Sequence, residues 1–278
     1  MLFDDGRVEA VREPLPGLVI DIFAVLTGLG DPLLLVVLAA LVYWLSDHET
    51  GVQVIAALVL VFGLTTGLKQ GLALERPPPG LWAVETDGFG LPSGHTSGAV
   101  VGYGTLAALY EVGSARLRYG LATVLAGLVS VSRVVLGVHY PVDVLAGIVL
   151  GTAVVGLTVC LRDRSPVPFF AVGAVAGLFG AWHSGFSSEA GLLLLGAGPA
   201  AIGTWSAVTP VPAPSRRLIA VCSAVTLPLL VGTAAVAKAM RSSSVVLVAA
   251  GAVGVAVVLS VPAAGAVLER ALSETERG

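Results

Sequence analysis

The sequence predicts an all-α protein, a polytopic transmembrane helical bundle, and three observations carry that expectation. Its 278 residues are 56% hydrophobic and only 12% charged, with a mean hydropathy of +0.93; soluble domains carry about 25% charged residues. Apolar stretches recur down to Leu268, many of them near the roughly 20 residues that a membrane-crossing helix requires. Between them the cations gather in alternate loops, as positive-inside sorting demands.

The elements follow in chain order. Residues 1–30 form a polar tail and a short apolar segment. The opening stretch MLFDDGRVEAVREP is acidic and polar, without a basic region leading into an apolar one, which argues against a cleaved signal peptide. Segment 18–29 is too short to span a bilayer. It lies in the interface, or pairs as half of a broken helix with 33–45 across Gly30-Asp31-Pro32. Further spans are expected at 51–73, 94–111, 117–138, 141–161, 167–183, 190–207, 218–237 and 244–268, making nine or ten membrane segments. About four of them lie after residue 165, in a C-terminal extension (166–278) with few polar side chains and no functional reading. There, Trp182 and His183 read as interfacial packing at a span end.

Sidedness follows from the loops. Arg116 and Arg118, Arg162 and Arg164, Arg216 and Arg217, and Arg270 and Arg277 fall on one side, expected to be cytoplasmic together with the C-terminus. Lys238 and Arg241 are the main exceptions. The loop at 74–93 and the turn at 139–141 are then expected to face outward. Arg7 and Arg12, set among acids, leave the side of the N-terminus open. A formal net charge of −3 gives no nucleic-acid footprint. Cys160 and Cys222 fall in apolar stretches without metal-site spacing and read as small packing residues, with no disulfide expected. Gly94, Gly98 and Gly102, like Gly147 and Gly151, recur every four residues and suit close helix packing.

Chemistry is concentrated in three blocks, because charge at membrane depth is costly and calls for a functional reason. In the first, Lys69 and Arg76 stand seven residues apart, about two helical turns, so that both cations share one face near the outer helix end before Pro77, Pro78 and Pro79 stop the helix. Such a pair can hold a phosphate; alternatively both side chains snorkel to headgroups. The second block is Leu91-Pro92-Ser93-Gly94-His95-Thr96. Ser93 suits an N-cap whose free amides form an anion site, and Gly94 lets backbone approach a bound group. His95 falls in the first turn, where it can donate a proton to a leaving oxygen. An ordinary cap with an incidental histidine is the alternative. The third block runs from Ser132-Arg133 to His139 and Asp143. Arg133 needs an anionic partner inside its apolar span. Asp143, four residues after His139 and with Pro141 in the first turn between them, can accept a hydrogen bond from the imidazole and free its other nitrogen to attack. Here the alternative is an Arg133–Asp143 salt bridge with a loop histidine.

Taken together, Lys-x6-Arg-Pro, Pro-Ser-Gly-His and Ser-Arg-x5-His-x3-Asp resemble the type 2 phosphatidic acid phosphatase (PAP2) superfamily of membrane lipid phosphatases. The match spans residues 69–143, with 31–165 as the expected catalytic core. The resemblance implies that Lys69, Arg76 and Arg133 bind a phosphoryl group with Ser93 and the amides near Gly94. It implies that His139 is the nucleophile forming a phosphohistidine, Asp143 its orienting partner and His95 the acid for the leaving group. It implies no metal or other cofactor, and the sequence has no His/Cys/carboxylate cluster at metal spacing. Many relatives carry a second basic residue just after Arg-Pro; this chain has Pro78-Pro79, which opens the question of substrate class.

The expected activity is hydrolysis of a lipid phosphate or diphosphate at the outer membrane face. Polyprenyl diphosphate leads over phosphatidic acid and phosphatidylglycerol phosphate. A phosphotransferase using the same site, and a non-catalytic transporter or scaffold retaining the core, are the alternatives. The expected partners are the bilayer and its lipid substrate, with no nucleic acid. Oligomeric state is not legible.

Overall fold

The computed structural model describes residues 5–211 and 215–275. Eleven α-helices and no strand occur among them: α1 (Asp5–Arg12), α2 (Gly17–Leu26), α3 (Pro32–Leu45), α4 (His48–Leu72), α5 (Gly94–Leu109), α6 (Ala115–Val135), α7 (Pro141–Cys160), α8 (Val167–His183), α9 (Glu189–Val208), α10 (Arg216–Ala239) and α11 (Ser244–Thr275). Local chemistry sets several starts. Asp31 accepts from the amides of Leu33 and Leu34 ahead of Pro32 at the first turn of α3. Asp47, Ser114 and Ser188 cap α4, α6 and α9 in the same way, each satisfying amides that a helix start leaves free.

The expected apolar segments all become helices, but their standing as spans differs. Among the described residues, six helices are long and apolar enough to cross a membrane: α4, α6, α7, α9, α10 and α11. A seventh crossing arises if α2 with its terminal turn and α3 form one span, bent by 47°. That pairing corresponds to the broken-helix alternative at Gly30-Asp31-Pro32. The count of nine or ten treated every apolar run as a crossing. Helices α5 and α8, with 16 and 17 residues, are shorter than the roughly 20 residues that a bilayer requires. Arg277, part of the sidedness reading, lies outside the described residues.

Helix α4 is the axis of the bundle, with Thr50 to Val61 buried without interruption. Helices α3, α5 and α8 all pack on it. Its contact with α8 is backbone to backbone: a Cβ on Gly63 would lie 2.2 Å from the Gly173 carbonyl oxygen, and one on Gly173 2.6 Å from that of Val59. Helix α7 closes on α5 at Gly147 and Gly151, where a Cβ would meet the carbonyl oxygens of Ser93 and Ser97 at 2.9 and 3.1 Å. The small-residue pattern is thus a packing device at those positions. Gly94 is different, with only Thr65 Cγ2 nearby, at 3.5 Å.

The C-terminal helices share the core. Buried side chains form one cluster running from Leu35 on α3 through α4 to Leu259 and Val261 on α11. Tyr43 Oη donates to the Leu259 carbonyl at 3.1 Å and Trp44 Nε1 to that of Val258 at 2.7 Å. Extension and core are therefore joined by packing and by buried hydrogen bonds. His183 stacks on Phe179 with ring centroids 3.9 Å apart, and Trp182 is exposed, as expected of surface packing.

Candidate active site

Helix α4 ends at Leu72, five residues before Pro77, because Ala73 takes a left-handed conformation (φ 48°). Lys69 and Arg76 therefore do not share one helical face. The chain after Ala73 folds back as a loop, and each cation grips it from a different place. Lys69 Nζ donates to the Phe89 carbonyl at 2.5 Å and to that of Gly90 at 3.4 Å. Arg76 Nε donates to the carbonyls of Asp87 and Gly88 at 3.1 and 3.0 Å. The prolines shape the loop instead of stopping the helix; Pro79 opens a short 3-10 turn, Pro79–Leu81.

That loop is held against the turn between α6 and α7. The Ala83 amide donates to the Leu136 carbonyl at 2.9 Å. Gly137, with φ 73°, lets the Leu81 carbonyl approach so closely that a Cβ would stand 1.9 Å from its oxygen. Only glycine suits such a position.

Across this contact the first and third blocks meet. Arg76 Nη1 lies 2.9 Å from His139 Nε2 and donates to the Val138 carbonyl, also at 2.9 Å. His139 Nδ1 lies 3.1 Å from Asp143 Oδ2. A guanidinium only donates and a carboxylate only accepts, so the imidazole is the neutral tautomer with its proton on Nδ1 and its lone pair on Nε2. His139 is 1% exposed and Asp143 is fully buried. Burial, then the charges of Arg76, Lys69, Arg133 and His95, hold the His139 imidazole well below its ordinary value of 6.5. Lys69, Arg76, Arg133 and His95 all lie close enough to act on His139 electrostatically. Burial also lowers Arg76, with Asp143 and Asp87 opposing the shift; an arginine remains cationic throughout.

Asp143 is fixed by more than the histidine. Its Oδ2 also accepts from the Tyr140 amide at 3.0 Å, and its carbonyl accepts from the Ser93 amide at 2.9 Å. Pro141 starts α7, as expected. The Arg133–Asp143 salt bridge of the alternative reading does not form. Arg133, buried at 4% exposure, instead donates from Nη1 to Thr27 Oγ1 at 2.6 Å. Its buried Nε has no hydrogen-bond partner among the described residues.

Ser93 occupies the N-cap position of α5, but its side chain makes no capping bond. It accepts from Thr96 Oγ1 at 3.1 Å, leaving the first amides of α5 uncapped by Ser93. His95 falls in the first turn of α5, its backbone packed against Gly30, where a Cβ would meet the His95 carbonyl oxygen at 3.1 Å.

Several participants escaped sequence reasoning. The carbonyls of Phe89 and Gly90 carry no side-chain signal. Thr27 sits in an apolar run far from every block; its hydroxyl beside the glycines of a broken helix was the available cue. Tyr140 Oη donates to Asp5 Oδ1 at 2.6 Å, and Arg12 Nη1 contacts the Leu81 carbonyl. The supposed polar tail is thus a helix docked over the turn beside His139, with Val8 wholly buried.

The chain is 30% identical over 136 residues to an undecaprenyl-diphosphatase of Sulfolobus acidocaldarius, an alignment covering 47% of this chain. The chain spans 64% of the length of that relative. No solved structure matches the chain significantly. Residues 50–166 match the PAP2 superfamily, a segment of this multi-pass membrane chain that contains Lys69, Arg76, Ser93, His95, Arg133, His139 and Asp143.

Proposed function

We propose that the protein hydrolyses a lipid phosphate or diphosphate, with polyprenyl diphosphate the leading substrate, through a phosphohistidine at the outer membrane face. The observation that carries the reading is the linear chain Asp143–His139–Arg76, at 3.1 and 2.9 Å. It supplies an oriented neutral imidazole whose lone pair faces a cationic locus. The name of the relative supports the substrate, and the run of cations at the opposite helix ends supports the sidedness.

In this reading Arg76, Lys69 and Arg133 hold the phosphoryl oxygens, with Ser93 and the amides near Gly94 completing the cradle. Arg76 Nη1 passes from His139 Nε2 to a phosphoryl oxygen. The Nε2 lone pair then attacks phosphorus, and the bond from phosphorus to the lipid-side oxygen breaks. His95 delivers the proton that this oxygen takes up. Asp143 stabilises the imidazolium formed on His139, whose Nδ1 proton it already accepts. Water next attacks phosphorus while His95 takes its proton, the phosphorus–nitrogen bond breaks with its electron pair returning to His139 Nε2, and inorganic phosphate leaves with the imidazole restored. Residues 31–165 would form this catalytic unit. No metal enters the scheme, since the side chains themselves supply the positive charge.

The test is phosphate release by detergent-purified protein across polyprenyl diphosphate, phosphatidic acid and phosphatidylglycerol phosphate, with and without a chelator. Turnover is expected to resist the chelator, to favour the polyprenyl substrate and to vanish in His139→Ala. Trapping with labelled substrate should give an acid-labile phosphoenzyme in the wild type alone. Full activity in His139→Ala would overturn the nucleophile assignment.

A further inference from the structure

The break between α2 and α3 places a 3-10 turn, Thr27–Gly30, against the catalytic end of the bundle. Its contacts there are specific. Thr27 Oγ1 accepts from Arg133 Nη1 at 2.6 Å. Gly30, fully within the core, lies so close to α5 and α6 that a Cβ would stand 3.1 Å from the His95 carbonyl oxygen and 2.5 Å from Val129 Cγ1. The Leu29 carbonyl between them accepts from Tyr103 Oη at 2.6 Å, tying the turn to α5. One four-residue segment therefore touches two of the three blocks, through a hydroxyl to the arginine and through backbone packing to the histidine.

A guanidinium buried in an apolar helix end has several rotamers open to it, and a catalytic cation is useful only when held in one. No carboxylate pairs with Arg133 among the described residues, so nothing neutralises it. A neutral hydroxyl is the partner that such a role asks for. It fixes the fork at one nitrogen while leaving the full positive charge available to a phosphoryl group, where a carboxylate would cancel it. The unpartnered, buried Nε leaves the opposite edge of the fork with donor capacity to spare.

We propose that Thr27 is a positioning residue, its hydroxyl holding the Arg133 guanidinium in the orientation that binds the phosphoryl group. This rests on the reaction proposed above. It adds to that reading a residue outside the PAP2-matched segment, so the broken helix is part of the site rather than a membrane anchor alone.

The experiment compares Thr27→Val, which keeps the shape and removes the hydroxyl, with Thr27→Ser, which keeps the hydroxyl. Both are made in the wild type and in Arg133→Ala. Readouts are kcat/KM for the lipid substrate, calorimetric binding of inorganic phosphate, and the thermal midpoint in detergent. Loss of one hydrogen bond to a charged group predicts about tenfold weaker phosphate binding and about tenfold lower kcat/KM in Thr27→Val. Thr27→Ser should recover most of both, with the thermal midpoint little changed. In Arg133→Ala, Thr27→Val should cause no further loss. An active wild type with Thr27→Val indistinguishable from it overturns the inference and leaves the phosphatase reading standing. So does an undiminished loss in the Arg133→Ala background, which would mark Thr27 as structural only. A wild type inactive on every lipid, but whose phosphate binding weakens in Thr27→Val, would overturn the reaction and keep the positioning role.

Discussion

Arg76 Nη1 and His139 Nε2 stand 2.9 Å apart, joining a loop cation to the nitrogen whose lone pair the proposed chemistry uses. The same guanidinium bonds the carbonyls of Asp87, Gly88 and Val138. It thus works as a fork that fixes the loop and faces His139 together. A lysine offers one compact charge and cannot serve both edges. Arg76→Lys is therefore expected to lose about 100-fold in kcat/KM, the scale of removing one preorganised donor from a charged transition state. Steady-state kinetics on a lipid substrate checks this; a loss below about threefold would mean that the fork geometry is immaterial.

Asp143 sits behind the proposed nucleophile. Its Oδ2 accepts from His139 Nδ1 and from the Tyr140 amide. In Asp143→Asn the amide oxygen can keep one of these bonds, so the fold should survive. The imidazolium, however, loses its countercharge and the tautomer loses its enforcement. The comparable change in a serine-protease triad costs about 10⁴-fold, and a loss of about 10³-fold or more is expected here. Single-turnover phosphoenzyme formation, with circular dichroism as the fold control, separates the chemical from the structural effect.

How far the sequence revealed all this depends on what each feature rests upon. Helices such as α4 and α7 were legible because long apolar runs leave a membrane chain no other backbone solution. His139 and Asp143 were legible because four residues in one chain segment fix their distance. Lys69 and Arg76 were legible as residues but misplaced as geometry. Helical periodicity was extended past Ala73, whose left-handed backbone has no sequence signal comparable to a glycine. Thr27 was not legible as a partner of Arg133, for which an anion was expected and Asp143 stood only as the alternative; tertiary packing supplies the hydroxyl. The docking of α1 was invisible for the same reason, since Asp5 and Tyr140 are brought together only by the fold.

A pH dependence follows from the electrostatics of His139. Its folded value lies well below 6.5, through burial first and the charge of Arg76 next. The imidazole thus stays neutral, and nucleophilic, on the acid side of its ordinary range. The acid limb of kcat/KM is expected below pH 6.5 in the wild type. Removing the Arg76 charge removes a cause of the depression, so Arg76→Gln should shift that limb to higher pH on its residual activity. Comparing the two profiles on one substrate cancels the substrate's own ionisation. A limb that stays fixed, or moves to lower pH, would contradict the assigned cause.

The contact between Gly137 and Leu81 offers a test of how the loop and the turn depend on each other. Gly137 has φ 73° and lies in the turn leading to Val138 and His139; a Cβ there would stand 1.9 Å from the Leu81 carbonyl oxygen. Gly137→Ala therefore meets both a disfavoured backbone region and a backbone atom that cannot swing aside. Relief requires the 79–83 segment to withdraw, breaking the bond from the Ala83 amide to Leu136 and drawing Arg76 away from His139. The expected result is a loss of kcat of at least about 100-fold, since an ångström of misplacement at a reacting centre costs about that much. Its thermal midpoint should fall by less than full unfolding of the core would demand, because α4 and its neighbours do not pass through this contact. Limited proteolysis should show new cleavage between Pro77 and Phe89. If Gly137→Ala keeps wild-type kcat and the same cleavage pattern, loop and turn are independent and Arg76 reaches His139 without this contact.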